Sequence, residues 1–251
     1  MHLPQPRTKI CELYYQNYVN IPINLNHNER KIMDNQPKPI ISVSISITPV
    51  THSYANQQAP KLNLIITSQN PEPITIYADD LSPSLMLACG AFIITSLANG
   101  CEIKQSVRTH CRIPLPSKVT VPLNERLFHT LLPNKPLNLS APFSRSRTET
   151  GERPLAKSHP DYASDRRARS GACGVDGLEP GNDYVLRLAG TPRVHWDIIR
   201  WWEYGTREQV LHPDGNGSAL DGREVRFGCA PHEAITIDTA SIGAVTFHCH
   251  E

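Results

Sequence analysis

The chain of 251 residues has the pattern of an all-β protein built as one β-sandwich domain. Three observations predict this. Most of its apolar stretches are short and alternate with polar residues, the two-residue period of a strand with one buried face. The 22 prolines and 14 glycines break the chain at close intervals, which suits turns between strands and not long helices. Only one segment carries a helix-start signal, and it has room for a single turn.

Residues 1–32 are rich in asparagine and lack apolar periodicity, so a flexible N-terminal tail is expected there, followed by a domain over 33–251. Met33 offers an alternative start. Ile41, Val43, Ile45 and Ile47 alternate with serines, which predicts a half-buried strand that Pro49 ends. Residues 62–67 form a second strand pattern, and Asn70-Pro71-Glu72-Pro73 connects it to a third over Ile74 to Tyr77. The apolar run over 85–98 contains a strand pattern from Ala91 to Leu97. Asn99-Gly100 follows, a dipeptide that tolerates the positive φ angles of a type I′ turn, and Cys101 to Ile103 completes the expected hairpin. Residues 118–123 and 136–139 give two more strands, whose prolines direct them to sheet edges.

Residues 143–174 interrupt the rhythm. They hold seven Lys or Arg, four Asp or Glu and almost no aliphatic side chains, so burial cannot offset the entropy of ordering them, and a disordered loop is expected. Its basic cluster, Arg166, Arg167 and Arg169, is expected to be a solvated loop face. Strand patterns resume at Tyr184 to Leu188, and return over 224–227, 234–237 and 244–247. Between them, residues 195–205 hold all three tryptophans and match strand and helix templates equally; burial is the reading they share. Thr206 and Gln209 have capping-box spacing ahead of Val210 and Leu211, and Pro213 stops the turn. The charged loop divides one set of strands, because neither half alone has enough of them to close two sheets.

Three blocks, VPLNERLFHTLLPNKPLNLSAPFSR (121–145), GLEPGNDYVLRL (177–188) and WWEYGTREQVL (201–211), resemble a family of small, uncharacterised proteins common in filamentous fungi. That resemblance spans most of residues 40–248. It implies a single immunoglobulin-like sandwich with a long variable insertion before a Gly-Leu-x-Pro-Gly strand and a Trp-rich block. It carries no established catalytic activity over to this chain and leaves function open.

Composition excludes several classes of function. With 25 Lys and Arg against 24 Asp and Glu, the formal net charge is +1, so there is no surplus of positive charge to seek nucleic acid or an acidic membrane. The apolar run over 85–98 is shorter than the roughly 18 to 20 residues that cross a bilayer, and the first twenty residues lack the apolar segment of a secretory signal. Seven cysteines, an odd number without paired spacing, suggest reduced thiols in a cytoplasmic protein. The glycosylation sequons at Asn138 and Asn216 are then incidental.

No motif for catalysis stands out. His248-Cys249-His250-Glu251 brings together potential metal ligands, and in a strand His248 and His250 would share a face while Cys249 pointed to the other. A frayed or edge-strand terminus without a ligand role is the expectation, so no metal and no cofactor are assigned. Cys229 with His232 and Glu233 has the residue types of an activated thiol, but proximity in sequence does not assemble a triad. Asp79 and Asp80 are expected to face water in a turn. The strongest feature is the aromatic block: Trp196, Trp201, Trp202 and Tyr204 lie within nine residues, with Arg193, Arg200 and Arg207 interleaved. Buried, one tryptophan would fill the space between sheets; exposed, Trp201, Trp202, Tyr204, Arg200 and Arg207 would form a binding platform. If the block is a strand, Trp201 and Trp202 point to opposite sides, so one is expected to face solvent. The leading expectation is a non-catalytic module that binds a protein or small-molecule ligand. The alternatives are an accessory enzyme of fungal specialised metabolism with a pocket between the sheets, and a metal-binding protein using the C-terminal His-Cys-His.

Overall fold

The structure, a computed structural model, describes residues 37–53, 58–103, 105, 118–120, 124–143, 177–189, 196–212, 224–226 and 232–250. The expected tail over 1–32 lies outside them, as does the expected loop over 143–174 apart from Phe143.

Strands dominate what is described. In chain order they are β1 (Ile41–Thr48), β2 (Thr51–Ser53), β3 (Lys61–Ser68), β4 (Ile74–Tyr77), β5 (Phe92–Ser96), β6 (Glu102–Ile103), β7 (Lys118–Thr120), β8 (Phe128–Leu131) and β9 (Leu137–Pro142). They continue with β10 (Asn182–Leu188), β11 (Ile198–Ile199), β12 (Trp202–Tyr204), β13 (Glu224–Arg226), β14 (Ile235–Thr236) and β15 (Val245–His250). Two short helices, α1 (Pro83–Ala88) and α2 (Arg207–Leu211), lie among them. The all-β expectation is met.

Two sheets share one core. The first has the order β1-β3-β9 and is antiparallel throughout; the second has the order β2-β15-β10-β5-β6. β1 follows directly from its sequence: Val43, Ile45 and Ile47 are buried while Ser42 and Ser44 are exposed, and all eight residues pair with β3, from Ile41 opposite Ser68 to Thr48 opposite Lys61. After Pro49 the chain crosses to the other sheet, where β2 runs parallel to β15. Inward residues of both sheets, among them Ile45, Leu64, Ile94, Leu186 and Phe247, meet in a single apolar cluster. Phe143 closes it, fully buried and edge-on to Phe247 with ring centroids 5.2 Å apart.

At the start of β10 the sequence GLEPGNDY folds back on itself. The Tyr184 hydroxyl accepts a hydrogen bond from the Glu179 N–H at 2.8 Å, and the ring stacks on Phe247 at 5.6 Å. Leu178, fully buried, pins the other end of the turn to the core.

A smaller sheet, β12-β4-β8, adds a second layer. All four residues of β4 are buried, because its two faces are both covered. Ile74 and Ile76 belong to the main core, whereas Tyr77 belongs to a second cluster with Phe128, Trp201, Val210, Leu211 and Val225. Thr75, the polar residue between them, donates its hydroxyl to the Gly205 carbonyl at 2.9 Å. The pairs β11-β14 and β13-β7 complete the sheets.

Several expectations need correction. The hairpin β5-β6 forms, but its turn is not type I′: Gly100 has φ +70° while Asn99 does not have positive φ, and the Gly100 N–H donates to the Ser96 carbonyl at 2.9 Å. The Asn99 side chain instead accepts from the Cys101 N–H at 2.9 Å. The strand expected within the run over 85–98 forms as β5, preceded by α1, which Pro83 opens, and by Gly90, which at φ +73° turns the chain into the strand. β8 carried no alternation that would have announced it. The C-terminal strand is neither frayed nor at an edge: β15 continues through His250, between β10 and β2.

Candidate functional site

The aromatic block resolves as two short strands. Ile198 and Ile199 pair with β14, and Trp202 to Tyr204 pair with β4, so β pairing decides between the two templates. Gly205 ends β12 with φ +115°, a conformation that L side chains rarely adopt, and an added Cβ would approach Val210 Cγ2 at 3.1 Å. The predicted capping box then starts α2, with Gln209 N–H donating to the Thr206 hydroxyl and Thr206 N–H donating to the Gln209 side chain.

Trp201 and Trp202 do point to opposite sides, yet both are buried, each 2% exposed. The expectation that one of them faces solvent fails because an apolar cluster waits on each side, the main core for Trp202 and the smaller cluster for Trp201. Trp201 meets Phe128 edge-on at 5.2 Å, and its carbonyl accepts from the Tyr77 N–H at 3.0 Å. Trp202 sits in the main core, stacks on the His232 ring at 4.1 Å, and donates its indole N–H to the Glu233 carbonyl at 2.7 Å. Trp196 is also buried in the main core, and its indole N–H has no hydrogen-bond partner among the described residues.

The two arginines are not arranged around the tryptophans as a platform. Arg200 Nε lies 3.7 Å from Asp80 Oδ2, whose side chain is 8% exposed. Asp80 therefore does not face water; the single-turn helix after β4 turns it inward to meet a guanidinium 120 residues later. Burial pushes the Arg200 guanidinium below its ordinary value. Arg207 belongs to a separate surface cluster: its Nε is 3.2 Å from Glu125 Oε1, and its backbone N–H donates to the Thr130 hydroxyl at 2.8 Å. His212 Nε2 is 3.7 Å from the other Glu125 oxygen.

Tyr204 is the candidate residue that reaches the surface as an aromatic. Its ring packs edge-on against Trp202 and His232, and its hydroxyl donates to the Pro37 carbonyl at 2.6 Å. Burial also holds the His232 imidazole below its ordinary value, against the opposing pull of Glu203. From Tyr204 the ladder runs through Ile74 to Leu131, so Leu132 follows at the same end of the molecule. Pro133 bridges Ser68, and Gln69 donates to the Ile40 carbonyl at 3.0 Å. These pairings place Ile40 (61% exposed) and Leu132 (38% exposed) on segments linked to that of Tyr204, with Pro37 and Pro71 also exposed. These are two of the four large hydrophobic side chains that are exposed among the described residues. Neither Ile40 nor Leu132 was a sequence candidate, since each ends an apolar pattern and looks locally like any other strand residue.

At the opposite end of β10, His248 Nδ1 is 2.7 Å from Asp183 Oδ1, and the His250 ring lies 4.4 Å from that of His248. Cys249 points inward and is fully buried, as the alternation required, and burial raises its thiol to about 12. Among the described residues no group of three or more His, Cys, Asp or Glu side chains is placed to hold a metal ion. Cys229 lies outside the described residues, while His232, its supposed partner, is committed to the Trp202 stack.

His52 on β2 is buried edge-on to Phe143, and burial pushes its imidazole down to about 4 from 6.5. The unfolded chain takes up this proton first. Its contribution to stability is therefore complete above pH 6.5 and is lost as the pH falls from 6.5 toward 4, with an upper bound of about 3 kcal/mol. Thermal unfolding of His52→Leu is expected to show a flatter dependence across that window than the parent protein; parallel profiles would remove His52 as the cause.

No helix among the described residues is long and apolar enough to cross a membrane. No protein-family model matches the chain, and no curated protein matches it.

Proposed function

We propose that this chain is a non-catalytic binding module, built on an immunoglobulin-like β-sandwich, that holds a protein or small-molecule ligand at the end formed by Ile40, Leu132 and Tyr204. The observation that carries the reading is that Ile40 and Leu132, two of the four large hydrophobic side chains exposed among the described residues, lie on segments that strand pairing joins to Tyr204, while both candidate tryptophans are used in packing. Solvent-facing apolar groups concentrated in one place mark a contact surface more often than scattered ones do. The two arginines contribute to the fold through Asp80 and Glu125, which leaves Tyr204 as the polar handle of the site.

The immunoglobulin-like part rests on topology. The β1-β3-β9 sheet faces a sheet in which β5, β10 and β15 are neighbours, and a tyrosine near the start of β10 bonds back to the turn before it, the arrangement known in such domains as a tyrosine corner. Kinship with the fungal family and a cytoplasmic location belong to the same proposal, supported by the GLEPGNDY turn and by the buried Cys249, which is in no disulfide.

The test is site-specific photo-crosslinking. A crosslinking residue at Leu132 is expected to capture a discrete adduct from the source cells, whereas the same residue at Thr246, exposed on β15, captures none. Equal labelling at both positions would overturn the assignment of this end.

A further inference from the structure

Among the described residues β1 is the outer strand of its sheet, and its own sequence lacks the features that normally keep such an edge from pairing. Because Gln69 N–H donates to the Ile40 carbonyl, residues 42, 44, 46 and 48 hold the bonding positions against β3. The N–H and C=O groups of Ile41, Val43, Ile45 and Ile47 therefore point away from β3, and no strand among the described residues pairs with them. Native proteins protect such edges with charge, proline, bulges or very short strands. β1 has eight residues, no charge and no proline, and it pairs with β3 without a bulge. Ile40 and Val50, at 61% and 56% exposed, bracket it.

We propose that β1 pairs with β1 of a second copy of this chain, antiparallel about a two-fold axis at Ser44, to join the two three-stranded sheets into one. The strand is its own complement in that register. Val43 of one copy lies opposite Ile45 of the other, Ile41 opposite Ile47, Ser42 opposite Ser46, and Ser44 opposite itself. All four residues whose backbone groups point outward on this edge then exchange N–H to C=O bonds, apolar residues meet apolar residues on the inner face, and serines meet serines on the outer face. The absence of charge argues for a second copy over a charged partner peptide: the strand offers no ion to be read, and self-pairing sets no like charges across the axis. The charged residues that flank β1 in sequence, Lys38 and Lys61, fall outside the paired stretch, Lys61 being one strand further in opposite Thr48. A two-fold contact also closes on itself and removes both edges together. The positions that test this inference, 42 and 44, lie outside the proposed binding end, whose probe is Leu132.

The experiment is sedimentation of the full chain over a range of concentrations, with three variants. The parent is expected to move from one-chain to two-chain mass as concentration rises. Ser44→Lys sets two ammonium groups against each other at the axis and is expected to abolish the two-chain species while leaving the circular dichroism spectrum unchanged. In a background with Cys11, Cys101, Cys111, Cys173 and Cys229 replaced by serine, which leaves only the buried Cys89 and Cys249, Ser44→Cys is expected to form a reducible covalent dimer on mild oxidation, since facing residues of a non-hydrogen-bonded pair lie within disulfide reach. Ser42→Cys, whose opposite number is Ser46, is expected not to. A parent that sediments as one chain at every concentration overturns the proposal, as does a dimer that survives Ser44→Lys or links equally well through position 42.

Discussion

Trp201→Ala and Trp202→Ala are each expected to lower folding stability by about 3 to 5 kcal/mol, the usual range for truncating a fully buried large aromatic. For Trp202 the loss combines three terms: the cavity left beside Ile76 in the main core, the stack on His232, and the Glu233 carbonyl deprived of its 2.7 Å donor. For Trp201 the damage falls on the smaller cluster, where Phe128 would lose its edge-on contact and α2 part of the surface beneath Val210 and Leu211. Trp202→Phe separates the terms, since it keeps a ring against His232 and loses only the donor and some volume; about 1 to 2 kcal/mol is expected. Chemical denaturation measures all three. Either alanine variant within about 1 kcal/mol of the parent would mean that β12 has a solvent-facing side and that the second layer is not packed as described.

Arg200→Ala is expected to cost about 2 to 3 kcal/mol, somewhat less than the range for breaking a fully buried pair because the arginine itself is one quarter exposed. The cost arises on the other side of the contact, where the Asp80 carboxylate stays buried without its guanidinium. The double variant Asp80→Leu, Arg200→Met is expected to recover most of the loss, because no charge then has to leave water. A double variant that is less stable than Arg200→Ala alone would show that the carboxylate has a structural role beyond this pair.

The parts of this fold that were visible in advance share a property: each is specified by neighbours in sequence. Alternation of Ile and Val with Ser defines β1 whatever it packs on, because successive side chains of a strand leave on opposite sides. The Thr206 and Gln209 cap closes within four residues, and the turn before Tyr184 bonds across five. α1 and β8 escaped notice because six and four residues are too few to show a period, and their ends are set by contacts elsewhere. The Asn99-Gly100 turn was placed correctly but given the wrong geometry, since the Ser96 carbonyl and the Asn99 side chain together favour a wider loop.

The candidate site was less legible. Five residues were singled out from an aromatic and arginine-rich block, and the fold separates them: Trp202 into the main core, Trp201 into a second cluster, Arg200 to Asp80, Arg207 to Glu125, and Tyr204 to the surface. Alternation correctly sent the two tryptophans apart, but it carried no information about whether a second layer waited on the far side. Ile40 and Leu132, far apart in sequence, become linked to Tyr204 only through the ladder from β12 to β8 and the Ser68 turn.

By itself, then, the sequence determined the strand class, the inward face of β1 and β10, the helix cap and the opposed directions of Trp201 and Trp202, all consequences of backbone geometry over a few residues. Tertiary structure alone decided which of those faces would be covered, that β15 lies inside its sheet, and that Asp80 is buried against Arg200. Burial is a property of what packs against a surface, and here the packing partners come from segments tens to more than a hundred residues away.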